Sequence, residues 1–438
     1  MPEPIDLLIE PRWLIPVEPC GVVLEDHAAA VSDGRIIDVL PSHTALERYR
    51  PKQRIPLPGQ VLIPGLVNLH THAAMALLRG IADDLPLMDW LKTRIWPAEE
   101  RHVSAAFVRD GTMLACAEML RGGVTCFNDM YFFPEAAAEA ARSIGMRAVL
   151  GMVIIEFPTA YATDADDYIS KGLSARDRLR NDPLISFCMA PHAPYTVADK
   201  TFERIATLAA QLDLSIHVHL HETRGEIEQG VAKHGVRPLQ RLARLGLLGP
   251  NLIGVHAVHL DDNEINLLAE NGCAVAHCPT SNMKLASGTA PIAKLARRGV
   301  RVGLGTDGAA SNNRLDLFQE MRHAGLLAKA ATGNAAVLSA HELLRMATLN
   351  GAAALGMEGT IGSIQAGKAA DLCAIRLDTL ETSPCFDPAS HLVYAAGREH
   401  VSHVWVNGAL QVENGLLRQC DTSRLLDTVN LWQNKLTA

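Results

Sequence analysis

The sequence predicts an α/β fold: a (β/α)8 barrel of the TIM type over residues 61–358, flanked by a small β-sandwich built from both chain ends, 1–60 and 359–438. Three observations predict it. Eight short apolar runs alternate with helical segments through the middle of the chain. Both ends carry strand-like runs with no helices between them. Histidines and carboxylates recur where the central runs stop, and in a barrel that C-terminal end is where the chemistry sits.

The N-terminal unit opens with Ile5-Asp6-Leu7-Leu8-Ile9. Ala28–Val31 follows, and Asp33-Gly34 turns the chain into Ile36–Leu40. Asp-Gly between apolar runs is a hairpin signal. Pro56, Pro58 and Gly59 end the unit. The apolar runs of the centre are 61–70, 124–129, 147–155, 185–190, 215–220, 252–256, 274–277 and 301–306. Helical patterns fill 103–121, 135–144, 199–212, 231–247, 262–271 and 291–299, with 314–331 and 341–355 after the last run. Such alternation makes a parallel sheet, and eight units close a barrel. An open doubly wound sheet is the runner-up, but no Gly-x-Gly-x-x-Gly follows any strand to seat a dinucleotide. After Gly359 the strands return at 362–364, 370–375 and 401–406, the last closed by Asn407-Gly408.

Composition narrows the function. With 48% hydrophobic and 20% charged residues, the chain can bury a large core. A net charge of −8 gives no basic patch for nucleic acid or an anionic membrane. No apolar run is long enough to span a bilayer, and the acidic start Met1–Asp6 is not expected to act as a secretory leader. Nine scattered cysteines without Cys-x-x-Cys point to reduced thiols in the cytoplasm and away from a thiolate zinc site.

The first run ends in His70-Thr71-His72. On a strand, i and i+2 share a face, so both imidazoles can converge on one ion. The pair alone fits two hydrogen-bonded histidines equally well. The other strand ends decide. They offer His192, then His217, His219 and His221 with Glu222, then His256, His277 and Asp307. A zinc-like ion takes imidazole and carboxylate ligands and leaves a position for water. His70, His72, one histidine of the fifth strand and Asp307 can supply them, and iron fits the same set. Such an ion activates water near neutral pH, and hydrolysis then needs a base and an acid. Asp307 suits the base, Glu222 the acid, and His256 can stabilise a developing oxyanion or orient the water.

At these separations His70-Thr71-His72, His219-Leu220-His221-Glu222, His256 and Gly305-Thr306-Asp307 resemble the amidohydrolase superfamily. Further stretches narrow the resemblance to its 5′-methylthioadenosine/S-adenosylhomocysteine deaminases: His72–Gly80 with Asp83–Leu87, Ile95–Glu99, Ala190–Tyr195 and Ser281–Gly288. It runs over nearly the whole chain. It implies one zinc per subunit on His70, His72, His219 and Asp307, with iron as the alternative metal. It implies Glu222 as the proton shuttle to the adenine ring, His256 beside the attacking water, and Glu99 and His192 as nucleoside ligands, Glu99 through the ribose hydroxyls. Glu222 and Asp307 would also touch substrate. His217 and His221 fall outside that ligand set. Binuclear relatives carry a lysine on the fourth strand, and Ile185–Ala190 has none. Triazine chlorohydrolase relatives alter the acid that Glu222 supplies.

The expected reaction is hydrolytic deamination of an adenine nucleoside, 5′-methylthioadenosine before S-adenosylhomocysteine or adenosine. The apolar character around Trp96, Leu85 and Met88 suits a thioether more than a zwitterion. Deamination of a free base such as guanine or 8-oxoguanine, triazine dechlorination, or a catalytically dead barrel in an assembly are the alternatives. The resemblance also implies a homo-oligomer, dimer or tetramer. The stretch from Thr71 to His102 reads as a long lid or contact loop. Arg79 and Arg147 read as salt-bridge residues, although basic groups near the site would sort substrates by their tails.

Overall fold

The computed structural model describes residues 2–437. Its centre is a sheet of eight parallel strands paired in chain order. They are β1 (Leu66–Thr71), β2 (Val124–Asp129), β3 (Arg147–Ile154), β4 (Ile185–Pro191), β5 (Ile216–Leu220), β6 (Leu252–His256), β7 (Ala274–His277) and β8 (Arg301–Leu304). The chain beyond β8 returns to β1. Asp307 N donates to His70 O at 3.0 Å. The Asn68 side chain bridges the same seam, accepting from Thr306 N at 3.0 Å and donating to Thr306 Oγ1 at 2.8 Å. Gly305 permits this approach, because a Cβ there would stand 2.9 Å from His70 N and His70 Cβ. Every residue of β1, β2 and β3 is buried, as strands packed on both faces require.

Helices cover the outside. Ala105–Arg121 starts on Ser104, whose hydroxyl accepts from Phe107 N, and Asp262–Glu270 starts on an Asp261/Glu264 capping box. The helical pattern 231–247 is two helices, Arg224–His234 and Pro238–Arg244. Gly235 at φ +70° ends the first, and Pro238 sits in the first turn of the second. Ala165–Leu179 forms a helix that the periodicity did not suggest. The stretch after His72 is mostly helical rather than a loop: Ala73–Leu78, Leu87–Trp90, a π-helical turn Leu91–Ile95, and Trp96–His102.

The run 61–70 is not one strand. Val61 to Pro64 pair with Leu372 to Ile375 in the terminal sheet, and only from Leu66 does the chain enter the barrel. The break falls at Gly65, where a Cβ would lie 2.1 Å from Thr125 Oγ1. The terminal sheet has nine strands and is mixed: Glu3–Leu14 runs parallel to Tyr49–Pro64, and its other pairs are antiparallel. It curls until its edge strand Arg35–Pro41 meets the segment leading into Leu372–Arg376, with Ala370 N donating to Gly34 O at 2.8 Å and Ile36 N to Lys368 O at 2.9 Å. Leu7, Ile9, Leu62, Leu372 and Trp405 share the core inside it.

The C-terminal part is not strands alone. Helix Pro388–Tyr394 is held by Arg322, which donates to Val393 O and Ala396 O. Helix Thr422–Thr437 docks on Ala105–Arg121, with Trp432 Nε1 donating to Asp110 Oδ2 at 2.9 Å and the Trp432 ring edge-on to Phe107. At the N-terminal end of the barrel Arg147 donates to both oxygens of Asp371 at 2.9 and 3.1 Å, with both side chains almost fully buried. Among the described residues no helix is long and apolar enough to cross a membrane.

Candidate active site

The C-terminal ends of the strands converge on one cluster. His70 and His72 leave β1, with ring centroids 4.8 Å apart. His219, near the end of β5, has its ring 5.0 Å from His70 and 5.4 Å from His72. Asp307 follows β8, and its Oδ1 is 3.2 Å from both His70 Nε2 and His72 Nε2. One nitrogen each of His70, His72 and His219 lie within 4.8 Å of one another, and so do donor atoms of His70, His256 and Asp307.

The second nitrogen of each of the three β1 and β5 histidines is already engaged. His70 Nδ1 is 3.0 Å from His217 Nε2. His72 Nδ1 is 2.7 Å from Met130 O, and His219 Nδ1 is 2.8 Å from His192 O. A ring nitrogen that donates outward leaves the other as a lone pair facing inward, the pattern of imidazoles prepared for a metal. His70 Nε2 is buried and has no hydrogen-bond partner. Burial pushes His70 down to about 3 and holds His219 well below its usual value, so both are neutral. Burial also acts against charge on His72, but Asp307 outweighs it and lifts His72 to about 9. Burial works to raise Asp307, and the two histidines reverse this to hold it well below the carboxylate range. Positive charge is therefore wanted where these groups meet. Three imidazoles and a carboxylate fit a single zinc ion.

Asp307 is fixed from behind. Ser281 and Ser311 hydroxyls both donate to its Oδ2 at 2.7 Å, and Gly308 N donates to Oδ1 at 2.8 Å. Its backbone is left-handed at φ +62°, as is that of His221 at +52° and His256 at +70°. Such non-glycine conformations cost energy and gather where side chains must be aimed.

Glu222 lies just beyond β5 and faces His256, whose Nε2 is 3.8 Å from Glu222 Oε2. His256 Nδ1 is 2.9 Å from Asn282 Oδ1. Burial raises the Glu222 carboxyl, with His256 opposing. The turn carrying Glu222 is clamped by buried Glu226, which accepts from His221 N at 3.0 Å and Glu222 N at 2.9 Å. His221 leaves the parity of His217 and His219, because its left-handed backbone turns it away. Its Nε2 accepts from Leu239 N at 3.1 Å.

These groups open into a cavity of about 560 Å³. Glu99, His192, His219, Glu222, His256 and Asp307 all line it, and His277 does not. Tyr131 donates to Glu99 Oε1 at 2.7 Å. Desolvation raises Glu99, with Tyr131 pulling the other way. Burial pushes His192 down to about 4, leaving it neutral. Of Trp96, Leu85 and Met88, only Trp96 reaches the cavity, joined there by Trp90, Phe132, Ile155 and Phe157. Tyr131, Ser281, Ser311, Asn282 and Glu226 were not singled out from sequence as site residues. Ser281 and Asn282 did sit in the Ser281–Gly288 stretch.

The model of the amidohydrolase family matches residues 61–410. A 5-methylthioadenosine/S-adenosylhomocysteine deaminase of Teredinibacter turnerae is 48% identical over 99% of this chain and 98% of its own. A crystal structure of an adenosine deaminase from Xanthomonas campestris with bound zinc superposes with a TM-score of 0.99 at 50% identity, covering 100% of both chains. An atrazine chlorohydrolase from Arthrobacter aurescens, complexed with zinc, matches with a TM-score of 0.90 at 26% identity over 97% of this chain and 99% of its own.

Proposed function

This chain belongs to the amidohydrolase family and, within it, to the 5′-methylthioadenosine/S-adenosylhomocysteine deaminases; from that premise we propose that it hydrolyses the 6-amino group from an adenine nucleoside, with 5′-methylthioadenosine favoured over S-adenosylhomocysteine and adenosine. One observation carries the reading. A single cavity brings together a metal-ready donor set, a buried carboxyl that burial raises above the usual carboxylate range, and a half-buried carboxylate suited to a diol.

Zinc, when bound by His70, His72, His219 and Asp307, supplies the Lewis acidity that activates water. The remaining work belongs to the chain. Asp307 takes a proton from the attacking water as its oxygen bonds to C6. Glu222 gives its proton to the adjacent ring nitrogen, so the negative charge of the addition is quenched as it forms. His256, aimed by Asn282, holds the oxygen in line. The proton on Asp307 then passes to the amino group, the C6–N bond breaks, the remaining hydroxyl proton returns to the Glu222 carboxylate, and ammonia leaves a 6-oxopurine. Glu99 accepts from the ribose hydroxyls, a match of two acceptor oxygens to two vicinal donors. His192 contacts the nucleoside beside it.

The same reading places the enzyme in the cytoplasm, supported by nine unpaired cysteines. It also makes the enzyme a homo-oligomer, for which exposed Leu380 and Phe386 offer apolar surface. The test is ammonia release from methylthioadenosine, S-adenosylhomocysteine, adenosine, guanine, 8-oxoguanine and a chlorotriazine. Turnover of an adenine nucleoside is expected, with loss of at least about 100-fold in Glu222→Gln. Turnover confined to a free base or to the triazine would defeat the proposal.

A further inference from the structure

The geometry points to a charge filter at the 5′ end of the substrate: the site takes uncharged, apolar 5′ substituents and turns away those bearing a carboxylate or phosphate. The inference rests on the adenine-nucleoside reading above and narrows it.

It starts from the cavity wall. Among the described residues no lysine or arginine lines it. The lining includes Trp90, Leu91, Trp96, Phe132, Ile155 and Phe157, with Trp96 on the same helix as Glu99. The charged group added there is acidic: Glu100, next to Glu99 on helix Trp96–His102. Cations that the chain could bring close are engaged or turned outward. Arg79 donates to Asn313 O and the Glu118 carboxylate. Arg147 is locked to Asp371 and Pro183 O at the opposite end of the barrel. Lys284 pairs with Asp83. Lys92 and Arg94 are exposed, while Leu91 and Ile95 beside them face the cavity.

A methylthio group meets this wall as one apolar surface meets another and gains by leaving water. The homocysteine tail carries a carboxylate into the same place. Its ammonium has Glu100 to pair with, and its carboxylate has no partner. A charge taken from water without a partner costs several kcal/mol, and nearby like charges add to that. A 5′-phosphate fares worse for the same reason. By this argument the second substrate in the relatives' name is a poor one for this chain.

The experiment compares kcat/KM of the zinc-loaded enzyme for methylthioadenosine, S-adenosylhomocysteine and S-adenosylhomocysteine methyl ester. The ester keeps the bulk and the ammonium and loses only the carboxylate charge. S-adenosylhomocysteine is expected at least about 100-fold below methylthioadenosine, with the ester recovering at least about tenfold. Phe157→Arg, at a position 45% exposed on the cavity wall, should raise S-adenosylhomocysteine at least about tenfold relative to the ester, which offers the guanidinium no carboxylate to pair with. S-adenosylhomocysteine within about fivefold of methylthioadenosine overturns the filter. An ester as poor as its parent acid also overturns it, since size rather than charge would be responsible. Inactivity on all three would sink the nucleoside reading itself.

Discussion

Asp307 must present one chosen oxygen to the histidines, and two serines make the choice. Ser281 and Ser311 both donate to Oδ2 at 2.7 Å, which leaves Oδ1 facing His70 and His72. A hydrogen bond to a charged group contributes about 1.5–3 kcal/mol. Removing one serine leaves the other to orient the carboxylate, so Ser281→Ala or Ser311→Ala alone should cost under about tenfold in kcat/KM. Removing both leaves a buried carboxylate oxygen without a protein donor and frees the side chain to rotate. A loss of about 2–3 kcal/mol in the transition state is about 30- to 150-fold. The double variant should therefore lose more than the product of the singles, as groups sharing one partner do. The assay is steady-state kinetics on all four proteins, with zinc content measured on the same samples and rates expressed per bound zinc. Per-zinc activity of the double variant within about threefold of wild type would refute the orienting role. Losses that simply multiply would refute the sharing.

Two further outcomes follow from buried charge elsewhere. Glu320 is fully buried, accepts from Thr280 N at 3.1 Å and Asn312 Nδ2 at 2.8 Å, and is pushed by burial from 4.5 up to about 8. Between those pH values the native state holds a proton that the unfolded chain has lost, so stability falls as pH rises through the window. Glu320→Gln removes that dependence, and the Tm difference should move in the variant's favour between pH 5 and pH 9; a difference flat with pH would exclude ionisation of Glu320 as the cause. Arg147→Ala strands Asp371 in the core and should cost about 3–5 kcal/mol. Spread over 438 residues at about 2.1 cal/mol/K each, that is roughly 3–5 °C in Tm. Activity of the folded fraction should hold, since Arg147 opens β3 at the end away from the site.

The barrel was legible because its strands are buried on both faces and so read as unbroken apolar runs. Two features blurred its edges. The run 61–70 is equally apolar on both sides of Gly65, yet serves two sheets; only the packing of Thr125 against that glycine marks the change. Helix Ala165–Leu179 buries Ala165, Tyr168, Ile169, Gly172 and Ala175. The spacing is helical, but small residues give it a faint hydrophobic signature. Gly172 must be small because it lies against Met152 of β3, where a Cβ would come within 2.8 Å.

The donor histidines were legible for a different reason: titratable groups at the ends of apolar strands are costly to bury and so stand out. The groups that aim them do not. Ser281, Ser311, Asn282 and Tyr131 are ordinary polar residues, and their partners lie 26, 4, 26 and 32 positions away. Periodicity links neighbours on a strand or helix, so it is silent about pairs joined only by the closed barrel. It also misleads just past the end of the strand. His221 shares the parity of His217 and His219, but a single left-handed backbone turn, held by Glu226, sends it to Leu239 and brings Glu222 to the cavity. Sequence spacing thus follows which residues gather at the proposed site up to the point where the strand ends. From there backbone dihedrals, secured by side chains with no pattern of their own, decide which residues face the cavity.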